Sequence, residues 1–177
     1  KTRKLEFLMG EALEKGAEAI VTFGAVQSNH ARQTAAAAAK LGLPCDLILT
    51  EMVARDSEAY RSSGNVLYDL LLGARVHLVK DDKGATGAFQ AIAAAHTKAG
   101  RGVYVVPVGG SNPVGALAYV SAFDEIEAQA QAMALAVDAI VLGSSSGGTQ
   151  AGLIAGATLA DSATRIMGVN VYKKHGA

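Results

Sequence analysis

Four polar side chains stand in a row at Gln27-Ser28-Asn29-His30, between an apolar run (Ala19 to Phe23) and a helix-like run (Ala31 to Leu41). Such a row is poor core material. At the start of a helix it is well placed to hold an anion, because the first backbone N–H groups have no intrahelical partner. A second turn of this kind runs Gly143-Ser144-Ser145-Ser146-Gly147-Gly148-Thr149-Gln150. Its adjacent glycines let the backbone approach a ligand, and its hydroxyls add donors for phosphate oxygens. It is neither a P-loop, since no Lys follows the glycine pair, nor the G-x-G-x-x-G dinucleotide signature. The third feature is Lys1-Thr2-Arg3-Lys4, which crowds positive charge into the first turn of a helix. The helix dipole disfavours protonation there, and a neutral amine is what a Schiff-base nucleophile requires. Together these features point to a phosphate-bearing cofactor and a substrate with a carboxylate. Each also has a plainer reading: a capped strand-to-helix turn for either polar turn, a surface histidine for His30, and a solvated basic start for Lys1 to Lys4.

The elements that must position these residues follow from periodicity. Leu5, Leu8, Met9, Ala12 and Leu13 share one helix face, and Gly16 supplies a stop. Residues 19–23 read as a strand, 29–41 as a helix, 45–50 as a strand and 51–61 mainly as a loop. A helix over 64–72, a strand over 75–79, a turn at 80–84, a helix over 86–99 and a strand over 103–107 come next. Asn112 is a good N-cap and Pro113 a good first helical residue. The helix they open runs to about residue 136, followed by a strand at 139–142, a helix at 150–159 and a strand at 165–171. This alternation predicts an α/β fold with doubly wound parallel sheets, because parallel strands need helical crossovers. In such sheets ligands gather beyond the carboxyl ends of the strands, where both polar turns and Gly109-Gly110-Ser111-Asn112 fall.

Composition narrows the function. Half of the 177 residues are hydrophobic, only 5% are aromatic, and there is no Trp. Lys+Arg and Asp+Glu are both 16, so no basic excess favours nucleic acid or an acidic membrane surface. No apolar run approaches the length of a membrane span. The single cysteine, Cys45, excludes an internal disulfide, reads as a small buried thiol and suits a cytoplasmic setting. His30, His77, His96 and His175 show no metal-ligand spacing. The chain starts at Lys1 without a Met and is expected to be an internal piece of a longer protein.

Four segments carry a resemblance: Lys1-Thr2-Arg3-Lys4-Leu5-Glu6, Gln27-Ser28-Asn29-His30-Ala31-Arg32-Gln33, Pro107-Val108-Gly109-Gly110-Ser111-Asn112, and Ser146-Gly147-Gly148-Thr149-Gln150-Ala151-Gly152. In this order they resemble the D-cysteine desulfhydrase and 1-aminocyclopropane-1-carboxylate deaminase family. These are pyridoxal 5′-phosphate (PLP) enzymes of the tryptophan-synthase-β-like fold. The resemblance implies that Lys1 forms the Schiff base with PLP, with Lys4 the weaker candidate. The Gly-Gly-Asn that usually precedes this lysine is absent. The resemblance also implies that Asn29 hydrogen-bonds the cofactor 3′-oxygen and that Ser28, Asn29 and His30 hold the substrate carboxylate. Ser145, Ser146, Gly147, Gly148 and Thr149 would cradle the phosphate. Lys1 and Ser28 are then the catalytic candidates. His30, where the deaminases tend to have Gln, favours the desulfhydrase side.

The resemblance further implies a small open α/β domain over 17–122. Residues 1–16 and 123–177 would belong to a larger, incomplete PLP-binding domain that exposes apolar sheet surface. The expected reaction is β-elimination from D-cysteine to pyruvate, ammonia and sulfide, in a cytoplasmic homodimer with no nucleic-acid or membrane partner. Ring-opening deamination and sulfite release from cysteate remain alternatives, as does a non-enzymatic phosphate-binding module. The piece alone is expected to be poorly soluble or inactive.

Overall fold

The apolar runs become parallel strands because helical crossovers cover them. The computed structural model of the chain describes residues 1–55 and 57–171. Two compact units, Lys1–Gly110 and Ser111–Ala177, divide it.

In the first unit the order is α1 (Thr2–Glu14), β1 (Ala19–Ala25), α2 (Asn29–Lys40), β2 (Cys45–Thr50), α3 (Glu58–Ser62), α4 (Asn65–Leu71), β3 (Arg75–Val79), α5 (Asp82–Lys98) and β4 (Val103–Val106), then a 3-10 turn at Val108–Gly110. The sheet order is β3-β2-β1-β4, all parallel, with Ile20 opposite Cys45, Asp46 opposite Arg75 and Ala19 opposite Val103. The chain winds outward from β1 to β3, then crosses back through α5 to β4 on the other side of β1. That reversal makes the carboxyl ends of β1 and β4 the switch point where open α/β sheets bind ligands. The polar tetrad follows β1 and Pro107–Gly110 follows β4.

Val21, Ile48 and Ile92 form a core cluster with Phe23, Val79, Ala85 and Phe89, tying α5 to the sheet. Helix α2 buries His30, Ala31, Thr34, Ala35 and Ala38, and it touches both β1 and β2. Alanines let it lie close. Two local expectations need correction. The stretch 51–61, read mainly as loop, enters the five-residue helix α3 at Glu58, capped by Ser57. Helix α5 begins at Asp82 rather than 86, because the Asp81 carboxylate accepts from the Gly84 N–H at 2.8 Å.

The second unit runs α6 (Pro113–Ala132), β5 (Ala139–Ser144), α7 (Gly148–Leu159) and β6 (Arg165–Asn170). Asn112 caps α6 through the Gly115 N–H at 2.8 Å, as its sequence foretells. β5 and β6 pair in parallel from Ala139–Arg165 to Ser144–Asn170. Gly152 permits the contact of α6 with α7: a Cβ there would stand 2.3 Å from the Ala116 carbonyl oxygen. Phe123, Leu153 and Ala157 close this core with Ile140, Leu142 and Ile166. Val141, Met167 and Val169 of the two-stranded sheet are exposed, in line with the apolar exposure expected of this part. No helix among the described residues is long and apolar enough to cross a membrane.

Candidate active site

Helix α1 begins without a capping side chain and without an acidic residue in its first turn. Its lysines turn inward instead. Lys1 Nζ donates to the Gly109 carbonyl at 3.2 Å, and Lys4 Nζ donates to the same oxygen at 3.3 Å. One carbonyl therefore gathers two ammonium groups at the carboxyl end of β4. Burial holds the Lys1 amine below its ordinary pKa. Burial, then the charge of Lys1, brings Lys4 down to about 8. Lys4 is 1% exposed. Both sequence candidates for the reactive amine thus lie together, and the environment favours the neutral form that nucleophilic attack needs.

The tetrad is built from α2 outward. Ser28 Oγ caps α2 by accepting from the Ala31 N–H at 3.1 Å, which leaves its own O–H proton to donate. Asn29 is exposed at the first helical position. His30 is not a surface histidine: it is 7% exposed, and its Nε2 lies 2.9 Å from Thr22 Oγ1. Thr22 donates its hydroxyl proton to the Val106 carbonyl at 2.8 Å. The hydroxyl must therefore accept from His30, which fixes the Nε2–H tautomer and leaves Nδ1 as a bare acceptor. That Nδ1 is buried without a hydrogen-bond partner among the described residues. Burial, then the charges of Lys1 and Lys4, push the imidazole pKa down to about 4, against a weaker pull from the Pro107 carbonyl. A neutral, inward-turned imidazole leaves the backbone N–H groups of the first turn as the part of this segment suited to a carboxylate.

Gln27 does not face the site as a ligand group. Its Nε2 donates to the Tyr60 carbonyl at 2.7 Å and the Ser63 carbonyl at 2.9 Å, and its Oε1 accepts from the Asn65 N–H at 2.9 Å. Gly64, at φ 59°, carries the chain past it, and a Cβ there would lie 2.6 Å from Gln27 Oε1. Asn65 Nδ2 donates to the Gln27 carbonyl and to Asn29 Oδ1, both at 2.9 Å. Sequence reading misses Thr22, Arg32 and Asn65. Only the Gly64-Asn65 punctuation marks one of them.

In the second unit, Ser145 and Ser146 lead into Gly147, the left-handed N-cap of α7, with Gly148 and Thr149 in the first turn. No side chain caps this helix, so its leading N–H groups are open to a ligand oxygen. Ser146 Oγ and Ser111 Oγ are hydrogen-bonded at 2.6 Å. Asn112 caps α6 in the same unit.

Two buried groups near α2 make a stability prediction. Asp69 on α4 is fully buried, and neither carboxylate oxygen has a partner among the described residues. Burial raises its pKa to about 6, opposed by Arg32. The folded state then holds a proton that the unfolded chain releases above about 4, so this stabilisation is lost as pH rises through 6. His30 acts in the opposite sense. Its unfolded pKa is about 6.5, so the unfolded chain takes up a proton between 6.5 and 4 that the folded chain refuses, and stability present above 6.5 is lost as pH falls. Asp69→Asn is expected to stabilise the chain at pH 7 by about 1–3 kcal/mol, and to steepen the gain in stability between pH 4 and 6.5. Urea unfolding across that range checks it; a variant no more stable than wild type at pH 7 contradicts it.

Cys45 is buried, as expected, and burial first, then Asp46 and Asp69, pushes its thiol up to about 12, so it is an unreactive thiol. Among the described residues no cluster of three or more His, Cys, Asp or Glu could hold a metal; His175 lies outside them.

The sequence profile of the family described as "Pyridoxal-phosphate dependent enzyme" matches residues 1–176. D-cysteine desulfhydrase of Serratia proteamaculans (strain 568) is 43% identical over 174 residues, covering 98% of this chain and 53% of that protein. The D-cysteine desulfhydrase of Klebsiella pneumoniae (strain 342) is 41% identical over 173 residues, with 98% and 52% covered. The crystal structure of an ACC deaminase homologue superposes with a TM-score of 0.81 at 37% identity, covering 98% of this chain and 51% of that one. A hydrogen sulfide-producing enzyme from Fusobacterium nucleatum shares the fold, at TM-score 0.70 and 21% identity, with 94% of this chain and 48% of that one covered. The chain spans about half the length of the curated relatives it matches.

Proposed function

The chain belongs to the pyridoxal-phosphate-dependent enzyme family, and on that premise we propose that the whole protein is a carbon–sulfur lyase that converts D-cysteine and water to pyruvate, ammonia and hydrogen sulfide. The observation that carries this reading is the pair of lysines on the Gly109 carbonyl beside the polar tetrad. The 43% identity to a D-cysteine desulfhydrase supports the substrate.

The residues present fit the cofactor. A partly desolvated amine can tether its aldehyde, a side-chain amide donor can meet its ring oxygen, and an uncapped helix start with three hydroxyl residues suits its phosphate. When bound, the cofactor supplies an electron sink for the charge left on the substrate Cα. Residues of this chain supply a tether, a base and anion-binding groups. Lys1 would hold the cofactor aldehyde through Nζ, and the same amine is placed to take the Cα proton. Lys4 shares the Gly109 carbonyl with Lys1, and the Lys1 charge adds to burial in bringing the Lys4 pKa down to about 8. Ser28 donates its hydroxyl proton to the substrate carboxylate, and the N–H groups of Asn29 and His30 share that anion at the start of α2. Asn29 Nδ2 donates to the cofactor 3′-oxygen. In the second unit Ser145, Ser146, Gly147, Gly148 and Thr149 hold the phosphate.

For the whole protein we keep the division into a small domain at 17–122 and a larger domain that includes 1–16 and 123–177. A homodimer in the cytoplasm, acting on a small amino acid, completes the proposal. The test is to incubate the protein with PLP, reduce with borohydride and map the labelled peptide, then assay D-cysteine for sulfide and pyruvate. Label at Lys1 with sulfide release is expected. Ketobutyrate from 1-aminocyclopropane-1-carboxylate, or sulfite from cysteate, would replace the substrate; scattered label would remove the enzymatic reading.

A further inference from the structure

Asn29 is exposed on the first turn of α2, and the torsion that sets its amide is broad and nearly two-fold. Left alone, it would present its oxygen about as readily as its NH₂. Only the NH₂ suits an anionic ring oxygen. Something must therefore choose the face.

The choice is made 36 residues away. Arg32 Nε, which can only donate, gives its proton to Asn65 Oδ1 at 2.9 Å. This fixes which end of the Asn65 amide is nitrogen. Asn65 Nδ2 then donates one hydrogen to the Gln27 carbonyl, which can only accept, and the other to Asn29 Oδ1, each at 2.9 Å. The Asn65 backbone N–H is also committed, to Gln27 Oε1 at 2.9 Å. Every bond in the relay has one partner whose role cannot be reversed, so the orientation is determined along the chain from Arg32 to Asn29. With its oxygen held by Asn65, Asn29 keeps both Nδ2 hydrogens for a ligand.

We propose that Asn65, oriented by Arg32, is a positioning residue that locks the Asn29 carboxamide with its NH₂ toward the cofactor's ring oxygen. This rests on the role given to Asn29 above. Asn65 itself touches neither cofactor nor substrate in this scheme. Its effect passes through Asn29.

Asn65→Asp is the sharpest probe. It keeps an acceptor for Arg32 and nearly the same volume, but it replaces the donor that faces two acceptors with a carboxylate oxygen. Asn29 should then turn its own NH₂ toward residue 65 and its oxygen toward the cofactor. The holoenzyme and the variants Asn29→Ala, Asn65→Asp and the double variant are compared by PLP titration and by the absorbance maximum of bound PLP, which responds to charge at the ring oxygen. Asn65→Asp is expected to weaken PLP binding about tenfold or more and to shift the maximum in the direction that Asn29→Ala does. The double variant should be no worse than Asn29→Ala, since the relay has nothing left to orient. Thermal unfolding is followed in parallel. If Asn65→Asp does not fold, Asn65→Ala takes its place, because it removes the amide that holds Asn29 Oδ1 while the Gln27 bonds to the Tyr60 and Ser63 carbonyls remain; the same shift, smaller, is expected. An unshifted maximum in the Asn65 variant, beside a shifted one in Asn29→Ala, overturns the relay alone, as do additive effects in the double variant. An Asn29→Ala enzyme with normal affinity and spectrum overturns the role of Asn29 and the relay with it.

Discussion

Lys1→Ala is expected to abolish covalent capture of PLP and to reduce turnover of D-cysteine by roughly 10²–10⁴-fold from the loss of the Cα base alone. The size follows from how much converges on one nitrogen. Lys1 Nζ sits on the Gly109 carbonyl, burial lowers its pKa, and the same amine is assigned both the tether and the proton transfer. Borohydride reduction followed by peptide mapping reads the tether, and single-turnover kinetics on externally added PLP read the proton step. Lys4 makes the experiment decisive, because its Nζ meets the same carbonyl at 3.3 Å. If the variant still carries reducible cofactor on residue 4, the anchor is Lys4, and Lys1 becomes its electrostatic neighbour. Lys4→Ala should leave the label in place, because burial lowers the Lys1 pKa with or without Lys4.

The second large effect concerns stability. Asp46 on β2 is 2% exposed and accepts four hydrogen bonds: from Arg75 Nε at 2.7 Å and Nη2 at 2.5 Å, from His77 Nε2 at 2.9 Å and from His96 Nε2 at 3.0 Å. Burial works against its charge, but the bonds from Arg75, His96 and His77 outweigh burial and hold the carboxyl well below the usual carboxylate range. Removing one member of such a buried pair costs about 3–5 kcal/mol, and the half-exposed Arg75 side chain lowers this to about 3 kcal/mol. Asp46→Ala is therefore expected to remove much of a typical domain's stability of about 5–15 kcal/mol. The pH signature is specific. The native carboxylate titrates below its unfolded value of about 3.9, so its contribution is complete above that value and disappears as pH falls. Wild type should lose stability between about pH 4 and 2 more steeply than Asp46→Ala. Equal urea midpoints at pH 7, or parallel acid slopes, would show that the four bonds contribute little.

These effects sort by what the primary structure discloses. β2 and β3 stand on the expected bounds, because a continuous apolar run between turn residues has few other uses. α3 stays hidden, since five residues are too few to show a period. α5 reads too short because Asp-Asp-Lys-Gly resembles a turn until the Asp81 cap is seen. The paired lysines, the polar tetrad and the serine–glycine turn announce themselves by chemistry, since each would be costly or pointless in a core. Asp46 and its partners do not, because a lone charge in each of two separate runs acquires meaning only when register sets Asp46 opposite Arg75. Thr22, Arg32 and Asn65 are ordinary residues whose roles arise from bonds spanning 8 to 38 positions. Strand order is equally unreadable: nothing local says that β4 returns to the far side of β1.

Gln27 fastens residues 60–65 by their main chain. Its amide grips the carbonyls of Tyr60 and Ser63, which every amino acid carries. The lettering of that segment is therefore free to drift while its path is preserved. A combinatorial library randomised at 59, 60, 62 and 63, with Gly64 and Asn65 kept, offers a way to vary this surface without disturbing the grip beneath it.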